Sequence, residues 1–205
     1  MLNLNYFGRI DVMLLDRKSF FIKEQVQFMK FSGRYDIFDP ILNTQIGFAK
    51  EEPGALVHFL RLIIGKGMLP NKINVCDTET NSIAFTIKKP FTFLRSKVSV
   101  YDGAGTYKGY FKGKILTLGG GFWVFDSNGN EIAELKGDWK GWNFNFFQNG
   151  KSAGTITKKW SGIGKELFTS ADNYMISLDE GEYTQDKIIL LLAAGLAVDI
   201  VYKEN

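Results

Sequence analysis

The residues best suited to chemistry in this sequence are lysines close to aromatic side chains. Six form the candidate set for an anionic ligand: Lys108, Lys112, Lys114, Lys158, Lys159 and Lys165. The first three share one face of an alternating run, and the others flank Trp160. Each lysine near an anionic leaflet contributes about 1 kcal/mol of binding free energy, so such a cluster favours reversible membrane association. The alternative is that the lysines only solubilise a sheet and protect it from aggregation.

Nothing in the sequence indicates catalysis. His58 is the only histidine and Cys76 the only cysteine, which excludes an internal disulfide and a multi-cysteine metal cluster. A catalytic triad would also need a nucleophile elbow and an orienting acid, and no such pattern occurs. Zinc-ligand spacings and a Walker-type phosphate loop are likewise missing from the sequence. We therefore expect a protein that is not an enzyme and holds no cofactor.

The lysines must be positioned by β-strands, because short alternating runs recur along the chain with an Asp and a nearby Gly or Asn between them. Residues of these types tolerate positive φ and are typical of hairpin turns. Asp77, Asp102 and Asp126 each begin such a turn, which explains them without acid–base chemistry. About a dozen strands are predicted near 5–14, 20–31, 34–38, 45–50, 72–76, 82–88, 92–101, 106–115, 121–125, 131–137, 141–148 and 151–158, with another short run at 173–178.

A helix is predicted from Asp186 to Tyr202, and it has no polar face between Ile188 and Val198. Eleven residues rise only about 16 Å as a helix, against about 30 Å for a bilayer core, which favours enclosure by protein. A membrane anchor stays open as the alternative, because tilting and bilayer thinning accommodate short helices. The positions expected to characterise this central helix are Ile188, Leu191, Leu192, Leu196 and Asp199. A buried Asp199 would need a hydrogen-bonding partner or a place at the mouth of the enclosure.

These two predictions fit together. A closed barrel of about twelve strands leaves a lumen wide enough for one helix, and closure removes exposed strand edges. The predicted fold is therefore mainly β: a closed, antiparallel, roughly twelve-stranded barrel around a buried C-terminal hydrophobic α-helix, forming a single domain over residues 1–205. A second helical pattern at 53–65 is expected on the outside of the barrel, or alternatively at a membrane surface.

Composition limits the classes of partner. The net charge of +3 is too small to favour nucleic acid. The first residues lack an uninterrupted apolar segment with a cleavage site, so we expect a cytoplasmic protein. We also expect a monomer, with peripheral membrane association as one option.

From Lys158 to Glu204 the sequence resembles the carboxy-terminal part of the phospholipid scramblase family. The resemblance depends on Trp160, Gly162, Phe168, Ala171, Asp172, Asn173, Ile176 and Asp199. The upstream hairpins resemble the same family and the plant LURP-one-related proteins. The resemblance implies the tubby-like fold, a closed barrel of about twelve strands around a C-terminal helix.

The resemblance also implies two activities. Resemblance to scramblases suggests calcium-stimulated movement of phospholipids between leaflets. Resemblance to tubby-type domains suggests binding of phosphoinositide head groups. The segment that resembles the calcium loop departs from an EF-hand. With Ser170 at the first position, Asp172 falls at the third, but Met175 replaces the glycine of the sharp turn and Gly181 the bidentate glutamate. We expect no metal there, with Asp172 as the only candidate ligand.

The leading hypothesis is a non-enzymatic domain, related to scramblases and LURP-one proteins, that binds anionic phospholipid or phosphoinositide head groups or a protein partner at a membrane surface. One alternative is a true scramblase that moves lipids between leaflets. The other is a cytosolic, stress-related scaffold with protein partners only.

Overall fold

The protein is described from a computed structural model, which covers residues 13–25, 34–52, 69–91, 97–114, 120–138, 142–158 and 173–202, with backbone only for 199–202. These residues form a short 3-10 helix (Leu14–Asp16), twelve strands and one helix, α1 (Gln185–Tyr202). The strands are β1 (Ser19–Glu24), β2 (Arg34–Asp39), β3 (Thr44–Glu51), β4 (Asn71–Asp77), β5 (Ile83–Lys89), β6 (Lys97–Asp102), β7 (Tyr107–Gly113), β8 (Gly121–Asp126), β9 (Glu131–Asp138), β10 (Asn143–Gln148), β11 (Lys151–Thr157) and β12 (Tyr174–Leu178).

The strands form a closed antiparallel barrel. Each strand pairs with its neighbours in sequence, and β12 pairs with β1, with Phe20 opposite Ile176. Every described strand therefore has two partners, and the sheet has no free edge. The predicted mainly β fold, a barrel of twelve strands with one C-terminal helix, is confirmed.

Four of the short turns at one end of the barrel begin with an aspartate. In the turn after β6, the Asp102 carboxylate accepts hydrogen bonds from the backbone N–H groups of Ala104 at 3.0 Å and Thr106 at 2.8 Å. Asp39, Asp77 and Asp126 accept backbone N–H groups in the same way. We call this the turn end. The connections at the opposite end lie outside the described residues.

Helix α1 runs through the barrel from the turn end. All of its residues from Ile188 to Val198 are buried. A Cβ atom on Gly109 of β7 would lie 3.1 Å from Leu190, and a Cβ atom on Gly195 would collide with Ile176 of β12. Since β7 and β12 lie on opposite sides of the ring, the helix spans the lumen. The apolar side chains that were predicted to characterise the helix, Ile188, Leu191, Leu192 and Leu196, are buried. The side chain of Asp199 is outside the described part of the chain.

The 3-10 helix corrects part of the strand prediction. A strand was expected over 5–14, but Leu14 begins the 3-10 helix, and residues 5–12 lie outside the described residues. The Leu14 N–H group donates to Asp77 at 2.7 Å, and its fully buried side chain packs beside Gly47. The twelfth strand is instead the short run predicted at 173–178. The helical pattern at 53–65, which includes His58, lies outside the described residues.

Helix α1 is inside the core, so shortening one of its side chains should destabilise the whole barrel. Leu192 is 0% exposed, and Leu192→Ala is expected to lower the free energy of unfolding by about 2–5 kcal/mol through lost burial and a residual cavity. Urea denaturation measures this change. Leu42→Ala is the matched control, because Leu42 is 45% exposed and should change stability by less than about 0.5 kcal/mol. Equal effects of the two substitutions would contradict an enclosed helix.

Candidate anion-binding face

The outer surface of β5 to β10 carries lysine and aromatic side chains in alternation. Side chains alternate between the two faces of a strand, and the inward positions here, such as Val98, Phe111 and Phe122, belong to the core. The outward positions form what we call the lysine–aromatic face: Lys88, Lys97, Tyr101, Tyr110, Lys112, Lys114, Trp123, Phe125, Lys136 and Phe147. The sheet register therefore brings together residues from six strands.

Four lysines of this face lie over aromatic rings. The ammonium nitrogen of Lys97 is 4.3 Å from the Tyr110 ring centroid, and that of Lys88 is 4.5 Å from the Tyr101 centroid. Lys114 over Trp123 and Lys136 over Phe147 make the same contact at 4.9 and 5.6 Å. The Tyr110 ring also stacks on Phe125, with centroids 4.6 Å apart. These cation–π contacts hold the ammonium groups in place on the surface.

The lysines differ in whether a carboxylate neutralises them. Lys114 and Lys136 both pair with Glu134. Burial raises the pKa of Glu134, but the hydrogen bonds from these two lysines outweigh it and hold the pKa below its ordinary value. Among the residues that the structure describes, Lys88, Lys97 and Lys112 have no carboxylate partner. These three cations are therefore available to an external anion.

The register places two pairs of lysines directly opposite each other. Lys97 of β6 faces Lys112 of β7, and Lys72 of β4 faces Lys88 of β5. Only Lys72 in this group has an acidic partner, Glu52, at 2.7 Å. Like charges directly opposite on neighbouring strands destabilise a sheet by up to about 1 kcal/mol. The barrel tolerates this repulsion on the lysine–aromatic face, where an anion would relieve it.

These lysines belong to a wider distribution of charge along the barrel axis. Each strand from β1 to β7 has an outward basic residue near the end opposite the turns: Lys23, Arg34, Lys50, Lys72, Lys88, Lys97 and Lys112. We call this the basic end. The turn end instead carries the aspartates that begin the turns, together with exposed acids such as Glu79, Glu131 and Glu180. The barrel is thus polarised, with excess positive charge at one end and negative charge at the other.

The predicted lysine set is only partly brought together. Lys112 lies in the face without a carboxylate partner, whereas Lys114 is neutralised by Glu134. Lys108 lies near the turn end, with its ammonium 3.2 Å from Asp102 and 3.0 Å from Asp186. Lys158 lies 4.2 Å from the Trp142 ring, several strands away. The remaining predicted site residues, Lys159, Lys165 and Asp172, lie outside the described residues.

Sequence analysis missed Lys88 and Lys97. Both are next to connections that lie outside the described residues, and their relation to Lys112 depends on strand register. One sequence pattern does indicate these lysines. Basic residues cluster at the ends of runs that lack an Asp-Gly or Asn-Gly turn, as in the Lys88-Lys89 pair.

The inner rim of the basic end is also polar. Glu51, Asn71 and Lys89 are buried and alternate with inward core residues on β3, β4 and β5. The Asn71 amide donates to the Glu51 carboxylate at 2.8 Å, and Asn71 is directly opposite Lys89. These polar groups lie at the end of the barrel that α1 reaches with its C-terminus. Lysine near a helix C-terminus complements the helix dipole.

Within the described ranges, neither an activated thiol nor a metal-binding cluster is found. Cys76 is a free thiol, and burial raises its pKa, which disfavours the nucleophilic thiolate at neutral pH. No group of three His, Cys, Asp or Glu side chains within the described ranges is arranged to hold a metal ion. Within those ranges, no helix is both long enough and apolar enough to cross a bilayer.

Comparison with known proteins gives one match. The family model described as Scramblase matches residues 2–205, which is nearly the whole chain. No curated protein and no solved structure matches the chain.

The pairing of Lys108 with Asp102 and Asp186 predicts how stability depends on pH. The pKa of Asp102 is lowered, first by the Thr106 N–H group and then by Lys108, and hydrogen bonds to Asp186 and Asp102 raise the pKa of Lys108. The Asp102 contribution is therefore full above its unfolded pKa and is lost as pH falls through the folded value. The Lys108 contribution is lost only as pH rises through its own raised value.

Asp102→Asn tests this dependence, because it keeps the oxygen that accepts the turn N–H groups and removes the charge beside Lys108. We expect the variant to melt below the wild type at about pH 7, with the difference shrinking as pH falls below the ordinary pKa of Asp102 and through its lowered folded value. Thermal unfolding followed by circular dichroism across this range measures it. A difference that persists unchanged at about pH 3 would contradict the ion pair as its cause.

Proposed function

The chain belongs to the scramblase family, and on that premise we propose that it is a non-enzymatic module that binds anionic phospholipid head groups through the lysine–aromatic face. Membership in this family does not assign the chain to a class of catalytic enzymes. The observation that carries the proposal is the set of three lysines without carboxylate partners, Lys88, Lys97 and Lys112, held among aromatic rings.

The chemistry of this face suits a membrane surface. Each lysine close to an anionic leaflet contributes about 1 kcal/mol, so three give about 3 kcal/mol, enough for reversible binding that weakens as salt rises. Tyrosine and tryptophan rings favour the level of the head groups, where one side is apolar and the other wet. A phosphoinositide supplies more negative charge per head group and would bind the same lysines more tightly.

The charge polarity of the barrel supports one orientation. An anionic leaflet attracts the basic end and repels the acids of the turn end. The protein would therefore approach with Lys97 and Lys112 towards the lipid and with Glu79 and Glu131 away from it. In this orientation it acts as a peripheral protein on the cytoplasmic leaflet, where anionic lipids are concentrated.

Movement of lipids between leaflets is the second candidate function, and family membership is the observation that favours it. If α1 had to enter the bilayer for this activity, the helix would have to leave a lumen in which Ile188 to Val198 are buried. Head-group binding on the outer face needs no such rearrangement. Vesicles with a dye-labelled lipid in one leaflet separate the two functions, because binding alone leaves the label inaccessible to a quencher outside.

Charge reversal of the facing lysines should weaken membrane binding. In flotation with vesicles of phosphatidylcholine and phosphatidylserine, Lys97→Glu with Lys112→Glu is expected to reduce the bound fraction at least about tenfold, because two favourable charges become repulsive. The matched control is Lys151→Glu, since Lys151 is an exposed residue at the turn end, where β11 begins, and the substitution should leave flotation nearly unchanged. If the two variants floated alike, the assignment of the face would be wrong.

A substitution of opposite sign gives an independent check on the same face. Glu134→Gln removes the carboxylate that pairs with Lys114 and Lys136 and so frees two more cations for lipid. We expect this variant to float more strongly than the wild type and to show a steeper decrease with salt. Unchanged flotation would indicate that these lysines do not contact the leaflet.

A further inference from the structure

The β2–β3 turn, which lies at the turn end, exposes two apolar side chains. The conformation of its backbone does not require apolar residues at these positions. In the β2–β3 turn, Asp39 accepts the N–H groups of Ile41 at 2.8 Å and Leu42 at 3.0 Å. In the β4–β5 turn, Asp77 accepts those of Glu79 at 2.9 Å and Thr80 at 3.0 Å. Both turns end in an asparagine with positive φ, 52° at Asn43 and 51° at Asn81. The two turns thus have the same geometry. Glu79 and Thr80 occupy the positions in the β4–β5 turn that Ile41 and Leu42 occupy in the β2–β3 turn.

Most exposed large apolar residues of the described ranges lie at the turn end, in the β2–β3 turn or beside the β4–β5 turn and the 3-10 helix. Five large hydrophobic side chains in the described ranges are exposed, and Phe91 is the one at the other end of the barrel. The other four form what we call the apolar corner: Met13 at 44%, Ile41 at 69%, Leu42 at 45% and Ile83 at 41% exposure. Clusters of this kind mark interaction sites more often than isolated apolar residues do.

The apolar corner is held rigidly. Arg17 pairs with Asp39 at 3.1 Å, and the Leu14 N–H group donates to Asp77 at 2.7 Å, so the 3-10 helix is tied to both turns. The Thr78 N–H group donates to the Ile46 carbonyl at 3.0 Å, which joins the β4–β5 turn to β3. A surface that is already ordered loses little conformational entropy when a partner binds.

The charge around the apolar corner is negative. Asp16 and Glu79 are exposed, and neither has a cationic partner among the residues that the structure describes. The nearby Arg17 is already paired with Asp39. An anionic lipid surface would be repelled by this rim, whereas a segment with lysine or arginine beside apolar residues would be attracted.

We propose that the apolar corner is the docking site for a basic amphipathic segment of a partner protein. The apolar face of the segment covers Ile41 and Leu42, while its lysines or arginines pair with Asp16 and Glu79. The site lies at the opposite end of the barrel from Lys88, Lys97 and Lys112, so a peptide here and an anion at those lysines can be bound at once. This proposal does not depend on lipid binding and is tested without membranes.

The test uses a fluorescent, helix-forming peptide of about 18 residues, five turns, with leucine on one face and lysine on the other. Fluorescence anisotropy should show binding that weakens as salt rises, and a peptide with glutamate in place of lysine should not bind. The double variant Ile41→Gln with Leu42→Thr places polar residues in the β2–β3 turn, as in the β4–β5 turn. It should weaken peptide binding about tenfold or more. Thermal unfolding of this variant should match that of the wild type.

A second variant removes the rim charge and leaves the apolar residues in place. Asp16→Asn with Glu79→Gln should weaken binding and flatten its salt dependence, whereas Glu131→Gln at the distant start of β9 is the matched control and should change neither. No binding of the lysine peptide, or equal binding after Ile41→Gln with Leu42→Thr, would overturn the proposal. Self-association of the wild type that this double variant abolishes would assign the corner to a second copy and overturn it as well.

Discussion

The structure depends on one constraint, the need of α1 for apolar surroundings on every side. Its residues from Ile188 to Val198 are all apolar or glycine, so no orientation of the helix presents a polar face to water. The barrel surrounds the helix with inward side chains from all twelve strands, and these side chains form a single core cluster with it. Fewer strands would enclose too narrow a lumen. The size of the barrel and the composition of the helix therefore determine each other.

Because the lumen is filled, recognition is left to the outer surface and the two ends. There the charges separate along the barrel axis. Aspartates collect at the turn end because they satisfy the backbone N–H groups of tight turns. Basic residues occupy the opposite end, where the facing pair Lys97 and Lys112 is not explained by turn chemistry or by ion pairing. A charge distribution that the fold does not require is where function is best sought.

Much of the fold could be predicted from the sequence because its signals are local. The helix was expected from Asp186 and begins at Gln185, and each Asp-headed turn was expected where it occurs. The candidate site was harder, because strand register decides which lysines meet. Lys112 was predicted to act with Lys108 and Lys114 on its own strand, but carboxylates occupy both of those, and its available neighbour is Lys97 on β6. A long-range pairing of this kind leaves no periodicity for one sequence to show.

Amide hydrogen exchange of α1 tests the enclosed helix most directly. In the structure, the backbone amides from Ile189 to Val198 lie in a helix inside the core, so they should exchange only through global unfolding, at the rate of the slowest strand amides. Adding vesicles that contain phosphatidylserine should leave that protection unchanged, while amides near Lys97 and Lys112 become more protected. Exchange in α1 that is faster than in the strands, or that accelerates when vesicles are added, would show that the helix leaves the barrel and would contradict this account.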